Sequence, residues 1–524
     1  MRTTVRSNGQ GFANDEFEKA LKAADFERCR ELVEASERVD ALLCGARLAI
    51  RERRYLDVIG SLSDFPHAPA HQRTARDVLL GAAFGSTRDY VAGRRLIDRA
   101  LQVLRPGNPL YDEALYYKAA IAWMQHNHRE AEEAAAVELD SKDPNNRARA
   151  RIVLSWIALR RGDVLRQVEE LQRALDELDA AAEPDQYFRA NALLTLALLC
   201  RELPLHDAAK RVRSIYESLP WTAGLQLECF QVTRFLAAVD ELEGNELAAF
   251  AGFKNAARLA PSEHWGVLCY LDRALLAKNT GEAAFAAEQL QDAHEIAQDL
   301  SWNDVTGEER SALLVLAELF AHQDAPIAEQ YLARFRSLTA SVIPILSYGT
   351  DPRVRGFEAY SQGVAWLRLG DAEQGRAALT EAWVIFEDFN YAWRAALCAL
   401  ALYEVTRDRR WIERAARRID PWPRSWIARR IGQAADATVV PLDRIPRAKR
   451  EVLELLRAGR RNSEIARALG RSPHTVRNQL AQLFQTFNVK SRGELMAVLS
   501  QQVVPVTYLR QRRRKDGPVR PVSP

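Results

Sequence analysis

The sequence predicts an all-α chain: a long stack of helical hairpins followed by a small, separate helical domain. Three observations carry this. Residues 15–432 keep apolar side chains at i, i+3, i+4 and i+7 through segment after segment, the period of helices that bury one face. A short polar break recurs between those segments at a repeat-like spacing. Charge also divides the chain: residues 441–524 hold 18 basic and 6 acidic residues, net +12, leaving 55 and 64, net −9, for residues 1–440. A basic end on an acidic body points to nucleic acid, or another acidic surface, as the partner of the end alone.

Residues 1–14 lack any such period and are read as a disordered N-terminus. Between residues 15 and 432 the break is clearest at Gly162, Gly244, Gly281 and Gly370, where a small or acidic pair precedes an Ala-rich helix. Weaker versions sit at Asp25, Arg54, Asp89, Arg129, Asp207, Asp324 and Arg409. The steps between them suit a two-helix repeat with irregular loops, so about ten hairpins are expected. Each hairpin has too little apolar face to bury alone, and neighbours are expected to stack into a right-handed superhelix with a concave surface. Such a surface is expected to bind a protein partner or a small-molecule effector, the alternative being a structural spacer or dimerisation platform. The turn glycines, the small residues after them (Ala283, Ala284 and Ala287; Ala372, Ala377 and Ala378) and Pro261 behind a second helix resemble the tetratricopeptide family. Aromatic positions drift from that pattern, so the repeats are tetratricopeptide-like.

Composition removes other classes. The apolar run nearest in length to a membrane span, Ala190 to Cys200, is closed by Arg189 and Arg201 and reads as a buried helix. MRTTVRSNGQGFANDEF has no apolar stretch of the signal-peptide kind, so a cytoplasmic protein is expected. Six scattered cysteines without a CxxC pair fit buried, reduced thiols. His126 with His128, and His67 with His71, lie in or beside breaks with no nearby third ligand, so no metal site is expected. Neither GxSxG nor HExxH occurs, and no glycine is followed by lysine, which excludes the GxxxxGK[ST] phosphate loop. No catalysis and no cofactor are expected. A phospho-accepting receiver needs alternating strands, which the body lacks.

The repeats end at RIDPWPR, residues 418–424, where two prolines and an Asp interrupt the helix. A short helix from Ser425 to Gly432 caps the stack, and residues 433–444 read as a linker. Residues 445–502 form the second domain. Pro446 suits a helix start and Gly459 its end. Asn462 can cap a second helix, with Glu464 in its first turn and Gly470 past its end. Ser472 and Pro473 open a third, and Ser491 with Glu494 is a capping box opening a fourth. Helices two and three, joined by Gly470, Arg471 and Ser472, make a helix-turn-helix.

In the third helix Val476, Leu480, Leu483, Phe484 and Phe487 form one apolar stripe that must face the other helices. The opposite face presents His474, Thr475, Asn478, Ala481, Gln482 and Gln485, with Arg477 on its flank, and carries no acidic residue. Amides and a guanidinium can read base edges in a major groove, and Arg477 and Asn478 are placed to do so. Ser472 and Thr475, with the amides of the helix start, suit a phosphate. Asn462 and Ser463 are expected at the other phosphate edge, and Lys490 and Arg492 complete the DNA-binding set.

The stretch EVLELLRAGRRNSEIARALGRSPHTVRNQLAQLFQTFNVKSRGEL resembles the LuxR-type helix-turn-helix domain of bacterial transcription regulators. The match is carried by Glu451, Gly459, Asn462, Glu464-Ile465-Ala466, Leu469, Ser472, Thr475-Val476, Leu480, Val489, Ser491-Arg492 and Glu494-Leu495. The resemblance implies double-stranded DNA as partner, the helix beginning at Ser472 in the major groove, and a homodimer formed through a fourth helix, Arg492 to Leu499. Three places depart from the family: the opening LT-x-RE becomes Ile445, Pro446, Arg447, Ala448 and Lys449, while Gln479 and Thr486 stand where histidine and lysine are frequent. The tail 503–524, with Arg510, Arg512, Arg513, Arg514 and Lys515, is read as a disordered basic segment that adds phosphate contacts. Together these features predict a transcription regulator whose repeats sense an effector or dock a partner. A second reading makes the chain a repeat scaffold whose basic end docks on an acidic protein.

Overall fold

A computed structural model describes residues 15–36, 38–63, 70–303, 305, 307–338, 352–437, 445–457, 459–487, 489, 491–493 and 495–496. The predicted N-terminal and C-terminal tails, His67, and the side chain of His71 lie outside the described residues. The chain divides into two units, 1–429 and 430–524. Among the described residues there are helices and turns and no strand, and no helix is long and apolar enough to cross a membrane.

The first unit is a tetratricopeptide-like stack of eleven described hairpins, from Asp15–Lys22 with Phe26–Glu34 to Ala392–Thr406 with Arg409–Ile419, followed by a single helix that begins at Trp426. Each of the eleven breaks read from the sequence falls at the turn inside one hairpin or, for Arg129, Asp207 and Arg409, in the first two residues of its second helix. Two devices make these turns. One residue takes a left-handed φ, as Gly162 (73°), Gly244 (81°), Gly281 (95°) and Gly370 (95°) do at no steric cost. An Asp or Asn side chain then accepts the N–H three residues on: Asp89 from Ala92 (3.0 Å), Asp163 from Arg166 (3.1 Å) and Asp371 from Gln374 (3.0 Å). At the fainter breaks the left-handed residue is Ala24, Arg53, Arg88, His126 or Arg407, each with a Cβ the turn must tolerate.

The first helix of a hairpin packs on its own second helix and, in most hairpins, on the next hairpin's first helix. First helices therefore form the core; in Gln186–Glu202 nearly every side chain between Ala190 and Cys200 is buried. Close approach inside two hairpins depends on glycine. A Cβ on Gly93 would lie 2.8 Å from the Gly81 carbonyl oxygen, and one on Gly375 would lie 2.9 Å from that of Gly363. All six cysteines are free and buried. No group of three His, Cys, Asp or Glu side chains that could hold a metal exists among the described residues, and His126 and His128 stand edge to face with ring centres 6.3 Å apart.

Hairpins far apart along the chain also touch one another within this unit. Phe17, Leu21 and Phe26 of the first hairpin share a core with Ala190 and Leu225. Thr222 Oγ1 donates to the Ala24 carbonyl at 2.7 Å, and Arg53 pairs with the buried Glu228 at 2.7 Å. Further along, Arg394 donates to both carboxylate oxygens of Glu202 at 2.7 and 3.0 Å, an ion pair buried at both ends. Two hairpins nearly two hundred residues apart are thus fastened directly.

The last helix differs from expectation. It runs from Trp426 to Ala437, five residues into the stretch read as a linker. Gln433-Ala434-Ala435-Asp436-Ala437 lacks an apolar period, but its alanines are strong helix formers that extend a helix already nucleated. Residues 438–444 lie outside the described residues.

Burial leaves two carboxyls of this unit reluctant to ionise. Glu138 is fully buried, with one oxygen accepting from Arg149 Nε at 3.1 Å and the other without a partner. Burial pushes its carboxyl up to about 8, and pushes that of Glu241 up to about 7. In the unfolded chain both titrate at about 4.3, so the folded chain binds more protons between about pH 5 and pH 8. Stability contributed by the protonated forms is lost as pH rises through that window. Thermal melts should show Tm falling from about pH 5.5 to about pH 8.5. Glu138→Gln combined with Glu241→Gln should flatten the decline, and an unchanged slope would assign it to other groups.

Candidate nucleic-acid interface

Beyond the helix Trp426–Ala437, which crosses the boundary between the units, the second unit holds the helices Arg447–Arg457, Asn462–Leu469 and Pro473–Thr486. Their core is Ile445, Val452, Leu453, Leu456, Ile465, Ala466, Val476, Leu480, Leu483, Phe487 and Leu495, with Phe484 packed against it. The first helix ends at Gly459 (φ 78°), and Gly470 (φ 61°) ends the second; its N–H returns to the carbonyls of Ala466 and Arg467. Ser472 then caps the third helix, its hydroxyl oxygen accepting from Thr475 N–H at 3.0 Å and lying 2.8 Å from Thr475 Oγ1. The turn between helices two and three is therefore closed by residues of its own.

With one face of the third helix packed, the other is exposed: His474, Thr475, Arg477, Asn478, Ala481, Gln482 and Gln485 all face water. This is the arrangement expected from the apolar stripe. Ser463 and Ser472 are exposed as well. No acidic side chain lies on the third helix, so nothing on it repels a phosphate.

One expectation is corrected. Asn462 is the first helical residue, and Arg461 is the N-cap. Glu464 Oε2 accepts from the Arg461 backbone N–H at 2.8 Å. The Asn462 side chain is engaged elsewhere, its Oδ1 accepting from Arg492 Nη1 at 3.2 Å, while Arg492 Nη2 donates to the Arg460 carbonyl at 2.6 Å. These bonds tie the start of the fourth helix to the second. Of that fourth helix, residues 492, 493, 495 and 496 are helical, and the Ser491 carbonyl accepts from Leu495 N–H at 3.0 Å. Lys490, Glu494 and residues 497–500 lie outside the described residues.

Sequence reasoning missed Arg471. From the turn it donates Nη1 to the Ala448 carbonyl (2.9 Å) and to Gln479 Oε1 (3.1 Å), and Nη2 to Glu451 Oε2 (2.8 Å). One guanidinium so holds the first helix, the turn and the third helix together, and gives Gln479 an intramolecular partner. Its five fixed donors suit this bracing better than a lysine would.

An exposed, acid-free helix face held rigid behind a capped turn defines a helix-turn-helix unit. Residues 447–499 match the family described as bacterial regulatory proteins, luxR family, so the C-terminal unit carries a domain of that family. Among solved structures the chain is similar to a Rap protein complexed with competence and sporulation factor, with 11% identity over 80% of this chain and 99% of that one, at a TM-score of 0.38. It is also similar to the APC/C hetero-tetramer Cut9–Hcn1, with 13% identity over 80% of this chain and 94% of that one, at a TM-score of 0.24. No curated protein matches the sequence.

Proposed function

We propose that the protein is a non-enzymatic, sequence-specific transcription regulator of the cytoplasm. Pro473–Thr486 enters the major groove of double-stranded DNA, Arg477 and Asn478 meet base edges, and Ser472, Thr475 and Ser463 meet phosphates. His474 and Gln482 extend the same face along the groove. The single observation that carries this reading is the exposed, acid-free strip opposite a buried one on the third helix. The repeats sense an effector or hold a partner, and the chain acts on DNA as a homodimer, with half-sites about one helical turn apart. Asn462, Lys490 and Arg492 complete the DNA-contacting set at the phosphate edge.

The test is selection of bound fragments from random duplex DNA by the full chain, followed by titration against the enriched sequence at several salt concentrations. Affinity should fall linearly with the logarithm of salt, with a slope of about −0.9 per phosphate contacted. Enrichment of no sequence, or binding indifferent to salt, would refute the reading.

A further inference from the structure

The charge boundary of the chain lies ahead of its second unit. Residues 407–524 hold 27 basic and 10 acidic residues, net +17, leaving 46 and 60, net −14, for residues 1–406. The sign therefore changes inside the last hairpin of the repeats. The second helix of that hairpin, Arg409–Ile419, carries five arginines and one glutamate, the largest basic excess of any second helix in the described hairpins.

These arginines are arranged as well as abundant. Ile412, Ala415 and Ile419 are buried and turn one side of the helix to the core. The opposite side carries Arg410, Arg414 and Arg417 at i, i+4 and i+7, a stripe about 10 Å long. Arg410 and Arg417 are exposed. Arg414 is held between two indoles, 4.8 Å from the ring centre of Trp383 and 4.6 Å from that of Trp411. The neighbouring carboxylates are engaged at the margins. Glu413 pairs with Arg409 at 3.3 Å, and Glu387 accepts from Arg418 Nε at 2.8 Å. Asp408 caps the helix, accepting from the Arg410 N–H at 3.0 Å. It also meets the Arg410 guanidinium at 2.7 Å, but that side chain is 80% exposed, so the pair is weak and open to exchange.

We propose that this stripe is a second nucleic-acid contact, which grips the phosphate backbone of duplex DNA beside the sequence read by the helix-turn-helix. The inference rests on the DNA-binding reading above and adds to it a surface of the repeats. Along one strand a phosphate recurs about every 3.4 Å of helix axis, so a stripe of about 10 Å faces about three of them. Guanidinium groups match phosphate oxygens in geometry as well as in charge. No base edge is involved, so the contact adds affinity without preference. Three such contacts alone are too few to retain DNA, and the stripe counts once the second unit holds the duplex. A chain of seven residues, the length of 438–444, spans at most about 25 Å, which presents that duplex at high effective concentration.

The experiment uses the full chain and the sequence it selects, carried on a duplex with flanks on both sides. Titrations at several salt concentrations compare the parent with Arg410→Ala combined with Arg417→Ala; Arg414 stays, because Trp383 and Trp411 pack on it. The double variant should bind roughly tenfold more weakly, with a log–log salt slope shallower by about 1.8, two contacts at about 0.9 each. Its preference among single-base changes and its Tm should match the parent's. Arg410→Lys with Arg417→Lys should keep most of the slope. Arg129→Ala with Arg173→Ala removes the same charge from two other second helices, where both arginines are exposed, and should behave as the parent. An unchanged slope and affinity in the first variant, an equal loss in the control, or a loss confined to one base position would overturn the proposal. Weaker binding of poly-glutamate by that variant, with DNA binding unaltered, would reassign the stripe to an acidic protein. A parent that bound no duplex would refute the helix-turn-helix reading and this one together, whereas a parent that binds beside an unaltered variant rejects the stripe alone.

Discussion

Replacing Arg477 with alanine is expected to weaken binding to the cognate site by about 1–3 kcal/mol, roughly 5- to 150-fold, and to relax preference at one base position. The side chain is exposed on the strip opposite the packed face, so the unit loses no core contact and should melt as before. Binding to unrelated DNA should fall far less, since phosphate contacts carry no sequence information. The measurement is a titration of parent and variant on the selected sequence and on each of its single-base changes. Full preference retained by Arg477→Ala would mean that the helix enters the groove in another orientation.

The opposite face of the same helix predicts a larger and different loss. Leu483 is fully buried at the centre of the second unit. Truncation to alanine costs about 2–5 kcal/mol in such a position. A domain this small seldom has more than about 3–5 kcal/mol of stability to lose. Leu483→Ala should therefore unfold the helix-turn-helix and abolish binding to every sequence, cognate or not. The first unit has a separate core and should keep its own melting transition. Near-normal DNA binding by this variant would show that the packing around Leu483 is not what presents the reading strip.

Much of this is legible in the sequence, for reasons that differ between the two units. In the C-terminal unit the helix period of Val476, Leu480, Leu483 and Phe487 determines one face, and the exposed face follows by geometry alone. In the repeats the glycine turns at 162, 244, 281 and 370 stand out because a left-handed residue without a Cβ is a local signal. Arg53, Arg88 and His126 make the same turn with ordinary side chains, so their breaks look faint. What the sequence conceals depends on distance along the chain. Nothing near Arg394 announces Glu202, and nothing near Trp426 announces Glu241, because an ion pair or hydrogen bond between remote segments leaves no periodic trace. Arg471 is hidden for a related reason: a single arginine in a turn looks solvated until Glu451 and Gln479 are brought to it. Asn462 illustrates the converse case, where a favourable cap residue lies one position inside the helix and Arg492 takes its oxygen.

The fastening of distant hairpins constrains how this protein can change over time. In an open solenoid a hairpin can be inserted or deleted and the rest of the row is merely displaced. Here the bonds Arg53–Glu228 and Arg394–Glu202 match positions on one hairpin to positions on another far along the chain. Adding a single hairpin between any such pair would carry one partner past the other and strand buried charges along the seam. The number of repeats between such partners is accordingly part of the design, and variation in length should be confined to loops.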